Sequence, residues 1–287
     1  MTQIDKSRFE WIGSDSARRE GISRPSTTFW KDAIGRLMKN KVAVVCFFII
    51  VLLILSCIIV PFFSPFESRE QHLGEVNKGF MTVCTDSRYE GQHHVHYFGT
   101  DNLGRDLFLR AFEGGRVSLM IAFAAVFVNL IVGLIYGGIS GYIGGAVDTI
   151  MMRIVEIVNG IPYLIVVILL MMVLPKGIFT MVVAYGITGW TGMARLVRGQ
   201  VLQLKSQEYI VAAEAMGAKS SRIIAKHLIP NALSVIIINV TLAIPSAIFT
   251  EAFLSYIGLG VPVPQPSWGV LAKGGQDLSL IHISEPT

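Results

Sequence analysis

Charged residues are scarce in this sequence. Of its 287 residues, only 15% are Asp, Glu, Lys or Arg, while 52% are hydrophobic. A soluble domain of this length would carry about 25% charged residues, so we expect lipid to be the main solvent of this chain. Apolar stretches long enough to cross a bilayer as a helix, about 20 residues, support this, and the first covers residues 42–63.

Cysteine is also rare. The sequence has three, with Cys46 and Cys57 inside the first apolar stretch and Cys84 in a loop. An odd number without metal-like spacing predicts neither a disulfide framework nor a zinc site. Three histidines within residues 93–96 are a possible transition-metal cluster, but no neighbouring cysteine or helical i, i+4 pair completes it. We therefore expect a solvated loop here and no bound metal.

Catalytic motifs are missing as well. The sequence contains no H-E-x-x-H, no G-x-S-x-G and no Walker-type G-x-x-x-x-G-K-[ST], so the chain is not expected to be an enzyme or to split ATP by that route. The net charge of +4 does not indicate nucleic-acid binding, because the basic residues flank the apolar stretches, as membrane topology requires. No A-x-A-like cleavage site follows the first apolar stretch, which is read as an uncleaved span.

The apolar stretches predict an all-α polytopic membrane protein. They are continuous and do not alternate as barrel strands do. A basic amphipathic pattern over 29–41 indicates a helix lying on the membrane surface or extending the first span into the cytoplasm. Five spans are predicted, at residues 42–63, 117–139, 150–174, 178–197 and 228–249.

The distribution of basic residues predicts the orientation. Residues 1–41, a predicted N-terminal tail, hold nine Lys or Arg, and residues 195–226 hold six. Both segments should be cytoplasmic by the positive-inside rule. The loop 64–116 and the segment after Glu251 should then face outward.

Several polar residues and glycines fall within the predicted spans. Asn129 should face a protein interior or an aqueous cavity, while Arg153 and Glu156 can pair on one helical face or extend to the interface. Pro162 after Asn159 predicts a kink, either simple geometry or part of a gate. Six glycines are close together, and those at four-residue spacing predict close helix packing. The last two of the six fit a turn. The glycines are Gly133, Gly137, Gly138, Gly141, Gly144 and Gly145.

The segment between the fourth and fifth spans predicts a short helix followed by a basic one. Gly217 would end the first helix as a C′ glycine, and Pro230 would lie in the first turn of the fifth span. One face of the first helix is small and smooth, which suits insertion into a groove on another protein or contact with the membrane surface. The face comprises Tyr209, Ala212, Ala213 and Met216, and the basic residues are Lys219, Arg222 and Lys226.

Residues 199–230 resemble the EAA loop of ABC-transporter permeases, whose pattern is E-A-A-x-x-x-G, nine residues, then I-x-L-P. Ala212, Ala213, Gly217 and Pro230 match it. Val211 replaces the Glu and His227 replaces the Ile, as is typical of the peptide-transport branch.

Other segments resemble the oligopeptide and dipeptide permeases of that family. His96 to Asp106 fits H-x-x-G-T-D-x-x-G-R-D, and Glu251–Gly260 and Pro266–Gly269 also match, so the resemblance covers about residues 29–275. The long N-terminal arm before the first span is similar to the C-type subunit.

The resemblance implies the permease subunit of an ATP-driven importer of oligopeptides or dipeptides in a bacterial or archaeal cytoplasmic membrane. Expected partners are membrane lipid, a second permease, two cytoplasmic ATPase subunits that hold ATP and Mg, an extracytoplasmic peptide-binding protein and the peptide. No cofactor bound by this chain and no nucleic-acid partner are expected. Import of nickel or another small solute is the alternative within the family.

The resemblance also assigns two sets of site residues. ATPase docking would involve Tyr209, Ala212, Ala213, Glu214, Met216, Gly217 and Pro230. The outward signature loop, which would fix its own shape or contact the binding protein, comprises Gly99, Thr100, Asp101, Gly104, Arg105 and Asp106.

Two rival classes remain, a secondary transporter and a membrane protein of assembly or signalling. A secondary transporter predicts inverted repeats and ionisable groups at the membrane midplane, and the sequence has neither in convincing form. The family would have a sixth span after the P-x-W-G segment. No sixth span is predicted in this sequence. Residues 117–275 are expected to form the permease domain, and 276–287 are expected to be a truncated or non-native tail.

Overall fold

The computed structural model describes residues 29–85 and 94–284, with side chains for 34–85 and 94–277. The chain separates into two compact units, Met1–Leu53 and Ile54–Thr287. The predicted tail before residue 29, His93 of the histidine cluster and the side chains after 277 lie outside the described residues.

The first unit contains helix α1 (Phe29–Lys39) and the beginning of helix α2 (Lys41–Phe63). Asn40 separates the two helices, and its Oδ1 accepts a hydrogen bond from the Ala43 amide at 3.2 Å. Apolar side chains of α2 such as Phe48 and Leu52 are exposed, as expected of a helix that faces lipid. The helix ends at Phe63, where the first span was predicted to end.

Residues 64–106 form a small domain of turns, which we call the loop subdomain. A 3₁₀ turn covers Leu73–Glu75, and strand β1 (Thr82–Val83) pairs antiparallel with strand β2 (Val95–His96). Phe66 and Cys84 are buried against Leu109.

Helix α3 (Leu107–Ile143) follows the loop subdomain directly. It begins ten residues before residue 117, where the second span was predicted to start. The prediction was late because the first turns of the helix carry Arg110, Glu113 and Arg116, which are not typical of a membrane-spanning segment. Asp106 caps the helix, since its Oδ1 accepts from the Leu109 amide at 2.7 Å. The predicted loop 64–116 therefore ends at residue 106.

The predicted third span is broken into helices α4 (Gly145–Asn159) and α5 (Tyr163–Val173), which meet at an angle of 78°. The kink predicted at Pro162 is confirmed, and it separates two helices. The residues between them, 160–162, contain a glycine and this proline, both of which weaken a helix.

The predicted fourth span, 178–197, is interrupted at one residue, Gly189, whose backbone stays helical (φ −73°, ψ −23°) and whose amide donates to the Tyr185 carbonyl at 2.8 Å. Helix α6 (Ile178–Thr188) and helix α7 (Trp190–Lys205) meet at Gly189. A Cβ atom at Gly189 would lie 2.3 Å from Nδ2 of Asn129, so only glycine allows the chain to pass Asn129 this closely. Asn129 is buried as predicted.

The remaining helices are α8 (Glu208–Ala215), α9 (Ser220–Ile223), α10 (Ile229–Tyr256) and α11 (Trp268–Ser284), with a π-helical turn at Ile224–Leu228. α10 begins one residue after the predicted 228 and extends past the predicted 249. Within the described ranges, three helical stretches are long and apolar enough to cross a membrane, or four if α4 and α5 count as one broken span. Five were predicted, and the difference lies in the split at Gly189.

Helix α3 is the centre of the second unit and packs against α6, α7, α10 and α11. Its glycines form the predicted close contact, with α7 as the partner. A Cβ at Gly137 would lie 2.3 Å from the Ala194 carbonyl oxygen, and one at Gly141 would lie 2.9 Å from that of Arg198. Gly144 and Gly145, at φ of 72° and 58°, form the predicted turn.

Candidate functional site in the α8 segment and the loop subdomain

Helix α8 has a buried side and an exposed side. Ile210 is fully buried and Ala213 is 5% exposed, and Ile210 belongs to a core cluster with Val201, Ile223 and Leu228. Ala213, predicted on one face with Tyr209, Ala212 and Met216, is on the buried side of the helix, while the other three are exposed. The exposed side carries Ala212, Glu214 and Met216, of which Met216 is 81% exposed.

A groove of about 710 Å³ lies beside α8. Ala213 contributes to it from its buried position, and Tyr209, Met216 and Gly217 line it from exposed positions. The structure thus brings these four predicted residues together, whereas Ala212, Glu214 and Pro230 do not line the groove. Pro230 lies in the first turn of α10, as predicted.

Gly217 ends α8 in the way its sequence position predicts. Its φ is +79°, its amide donates to the Glu214 carbonyl at 2.9 Å, and the Ala218 amide donates to the Ala213 carbonyl at 3.1 Å. This pair of bonds is the Schellman motif, in which a left-handed residue closes the last turn. The direction of the chain after α8 is therefore fixed by one glycine.

Two side chains that sequence reasoning missed lie at the end of α3: Tyr142 connects α3 to α8, and Lys205 of α7 contacts Tyr142. The Tyr142 hydroxyl donates to Oε1 of Glu214 at 2.9 Å, and Lys205 donates to the Tyr142 carbonyl oxygen. The Lys205 ammonium also lies 5.1 Å from the Tyr142 ring centroid, within range of a cation–π contact. Tyr142 and Glu214 are 72 residues apart, so no local pattern predicts the pair.

A second missed connection joins α3, α4 and α7. Arg198 donates two hydrogen bonds, both of 2.5 Å, to the two carboxylate oxygens of Asp148, and the Ser140 hydroxyl donates to Oδ1 of Asp148. Paired geometry of this kind is the strongest that Arg and a carboxylate form. By contrast, the predicted Arg153–Glu156 pair forms at 2.5 Å on the surface, with both side chains more than half exposed.

The predicted signature loop holds its own shape through Thr100, Asp101 and Arg105. Oγ1 of Thr100 accepts from the Lys78 amide at 2.8 Å. Oδ1 of Asp101 accepts from the Leu103 and Arg105 amides, each at 2.9 Å, and its Oδ2 accepts from Nε of Arg105 at 2.7 Å. All three side chains are largely buried, which supports the interpretation that they fix the loop's conformation.

Gly99 and Gly104 have φ of +75° and +71°. A Cβ at Gly104 would lie 1.9 Å from the His72 carbonyl oxygen, and one at Gly99 would lie 2.2 Å from that of Lys78. Both positions thus require glycine for conformation and for space. Asp106, the last residue of the signature, caps α3.

The first residue of the signature, His96, is buried between two carboxylates. Its Nδ1 lies 2.7 Å from Oδ2 of Asp106 and its Nε2 lies 3.2 Å from Oε2 of Glu75. Burial disfavours the imidazolium, but the hydrogen bond and charge of Asp106, with those of Glu75, raise the pKa of His96 above its ordinary value. Burial also opposes ionisation of Glu75, yet hydrogen bonds from Thr85, Cys84 and His96 lower its pKa.

The two later matching segments, Glu251–Gly260 and Pro266–Gly269, meet at one buried cluster. The Ser118 hydroxyl donates to Oε2 of Glu251 at 2.5 Å, and the Ser255 hydroxyl donates to Oε1 at 2.7 Å. The Trp268 amide donates to Ser118 Oγ at 3.2 Å. This cluster joins α3, α10 and α11.

Comparison with known proteins identifies the class. Residues 129–281 match the family model for the binding-protein-dependent transport system inner membrane component, and residues 28–79 match that for the N-terminal TM domain of oligopeptide transport permease C. This chain belongs to the family of binding-protein-dependent transport permeases, in its oligopeptide permease C branch.

Characterised relatives agree closely with this assignment. The chain is 48% identical to the oligopeptide transport system permease protein OppC of Bacillus subtilis over 96% of this chain and 86% of that protein. It is 47% identical to the dipeptide transport system permease protein DppC of the same organism, over 89% and 76%. Identity to OppC of Escherichia coli K12 is 42%, over 95% and 86%.

Proposed function

We propose that this chain is a permease subunit of an ATP-driven importer of oligopeptides or dipeptides, and that α8 is the segment through which a separate ATPase drives it. Membership of the permease C branch and the names of the relatives, oligopeptide and dipeptide permeases, support the substrate class. In the proposed complex, a second permease, two ATPase subunits and an extracytoplasmic binding protein complete the machine, and the N-terminus of this chain is cytoplasmic.

The observation that carries the docking role is the construction of α8. One side of the helix is fixed in the core by Ile210 and Ala213, while Met216 on the other side is 81% exposed. Because one side of this short helix is packed in the core, a force applied to the helix moves the helix and the core together. Its contact with Tyr142 passes movement of Glu214 to α3, so closure of an ATPase pair around α8 would move the spans as rigid bodies.

The experiment compares Gly217→Val with Gly199→Val in the complete transporter reconstituted in vesicles. Gly217 needs a left-handed conformation, which a β-branched residue resists by about 1–2 kcal/mol, although its surroundings are open. Gly199 is exposed on α7 with open space around it and no such constraint. We expect Gly217→Val to reduce ATP-dependent peptide uptake at least tenfold while ATP hydrolysis continues, and Gly199→Val to transport normally.

Direct contact is tested by placing a photo-crosslinking residue at Met216 and, as a control, at Val263, which is 71% exposed on the segment before α11. We expect the ATPase subunit to be captured from position 216 only. Normal uptake by Gly217→Val, together with no capture from 216, would show that α8 is not the docking segment.

A further inference from the structure

Three potential metal ligands meet inside the loop subdomain. Glu75, Cys84 and His96 are 2%, 8% and 0% exposed, and one ligand atom of each lies within 4.8 Å of the others. The 3₁₀ turn supplies Glu75, the residue after β1 is Cys84, and β2 supplies His96. In the register of β1 and β2, His96 lies opposite Thr82, and the Cys84 amide donates to the His94 carbonyl at 2.8 Å. Alternate residues of a strand share a face, so Cys84 and His96 are diagonal neighbours on one face of the sheet.

Two of the three separations between ligand atoms are close to those around a tetrahedral ion. Oε2 of Glu75 lies 3.2 Å from Nε2 of His96 and 3.3 Å from Sγ of Cys84. Zinc bound at its usual distances, about 2.0–2.1 Å to nitrogen or oxygen and about 2.3 Å to sulfur, would place these pairs about 3.3 Å and about 3.6 Å apart. These two pairs would need only small shifts on binding. The third pair, Nε2 of His96 and Sγ of Cys84, lies within 4.8 Å and would have to close to about 3.6 Å.

The side chains around the cluster hold two of the ligands in the orientation that a metal requires. Nδ1 of His96 is engaged by Asp106 at 2.7 Å, so Nε2 is the nitrogen that faces the cluster. Oε1 of Glu75 accepts from the amide and the hydroxyl of Thr85, so Oε2 is the oxygen that faces it. A carboxylate behind a ligating histidine is the common second-sphere arrangement of zinc sites.

The charge of the cluster also favours a cation. Glu75 and Asp106 are buried on opposite ring nitrogens of His96, and buried carboxylates need positive charge beside them. A zinc ion with the Cys84 thiolate supplies a net charge of about +1 there, the same as an imidazolium would. The ion can thus enter without leaving the carboxylates uncompensated.

We propose that Glu75, Cys84 and His96 bind one Zn²⁺ ion, with Asp106 as the positioning residue for His96 and water at the fourth coordination position. A thiolate, an imidazole and a carboxylate together suit zinc better than the oxygen-preferring Mg²⁺ or Ca²⁺. The ion would join the 3₁₀ turn, β1 and β2 and, through Asp106, the first turn of α3. Its role is structural: it fixes the loop subdomain on the end of the helix.

The spacing explains why motif reading excluded this site. The ligands are separated by 9 residues from Glu75 to Cys84 and by 21 from Glu75 to His96, which fits no short metal motif. The most evident candidate in the sequence is the run of histidines within residues 93–96. Of its two described members, His94 and His96, only His96 belongs to this cluster.

The test is the zinc content of the full chain, purified in detergent with a tag that lacks histidine, equilibrated with ZnCl₂ and then freed of unbound metal. We expect about one zinc per chain, and Cys84→Ser should reduce this at least fivefold. Cys46→Ser is the matched control, because Cys46 is an exposed residue of α2 outside the cluster, and it should retain zinc. Equal zinc content in Cys84→Ser and the native chain would overturn the proposal.

A second readout does not depend on folding of a variant. Cobalt(II) added to the native chain should produce a thiolate-to-cobalt charge-transfer absorption with the strong visible bands of a tetrahedral ion, and zinc should displace it. The same titration of Cys46→Ser should give the same spectrum. Octahedral cobalt without a thiolate band in the native chain would mean that the three side chains form only a hydrogen-bonded cluster, and the proposal would be wrong.

Discussion

At the residue scale, glycines with positive φ determine the shape of both candidate segments. Gly217 sets the exit of the chain from α8, and Gly104 sets the turn before α3. The two differ in their surroundings, because Gly217 is open whereas a Cβ at Gly104 would lie 1.9 Å from the His72 carbonyl oxygen. Substitution should therefore alter the conformation of the chain at Gly217 and reduce the stability of the fold at Gly104.

We predict that Gly104→Ala destabilises the protein by about 2–4 kcal/mol, since it combines a left-handed conformation with a backbone clash. The measurement is the midpoint of thermal unfolding in detergent. Gly74→Ala is the control, because Gly74 lies in the same subdomain and none of the residues that the structure describes comes within 4 Å of its added Cβ. A lowering of the midpoint that is equal for the two variants would contradict this account.

At the element scale, the close contact of α3 with α7 depends on which side of α3 each glycine faces. A Cβ at Gly137 would lie 2.3 Å from the backbone oxygen of Ala194, while one at the adjacent Gly138 would lie 3.3 Å from the side chain of Ile224. Backbone cannot yield without moving the whole helix, whereas a side-chain methyl group can shift.

We predict that Gly137→Ala separates α3 from α7 and lowers stability by about 1–3 kcal/mol, the usual cost of overpacking. Gly138→Ala should be close to neutral, because the helix propensity that favours alanine by about 1 kcal/mol offsets the cost of shifting the Ile224 side chain. Yield of folded protein and thermal midpoint in detergent compare the two. If both variants behaved alike, the glycine stripe would not be the reason that these helices approach so closely.

The helical elements could be predicted from the sequence where hydropathy and turn chemistry decide them. Residues 42–63, the break at Pro162 and the cap at Gly217 are local features, and the structure confirms them. The start of α3 was missed because its first turns carry three charged residues among apolar ones and are stabilised by contacts distant in sequence. Arg110 donates to the Ser68 carbonyl at 2.7 Å and to the Pro264 carbonyl at 3.3 Å.

The candidate site could be predicted in its residues but not in its geometry. The matching motifs point to α8 and the signature loop as candidates. The burial of Ala213 could not be predicted, because four of the eight residues of α8 are alanine or valine and give no clear apolar face. The split at Gly189 and the bond from Tyr142 to Glu214 depend on partners in other helices. Such contacts have no local signature.

At the scale of the whole molecule, α3 connects the two candidate segments. Asp106 of the signature loop caps its first turn, and Tyr142 in its last turn contacts Glu214 of α8. A helix of 37 residues is about 55 Å long at 1.5 Å per residue, which exceeds the hydrocarbon core of about 30 Å. The ends of α3 should therefore lie on opposite sides of the membrane.

This argument predicts that Val83→Cys in the loop subdomain and Met216→Cys after α8 react with a membrane-impermeant maleimide from opposite sides. Both positions are exposed, at 47% and 81%. A Cys46→Ser background removes the exposed native cysteine, while Cys57 and Cys84 are buried. In intact cells stripped of any outer membrane, position 83 should be labelled; in inside-out vesicles, position 216 should be labelled. Labelling of both from one side would mean that α3 does not cross the bilayer, and the link between outward loop and α8 would fail with it.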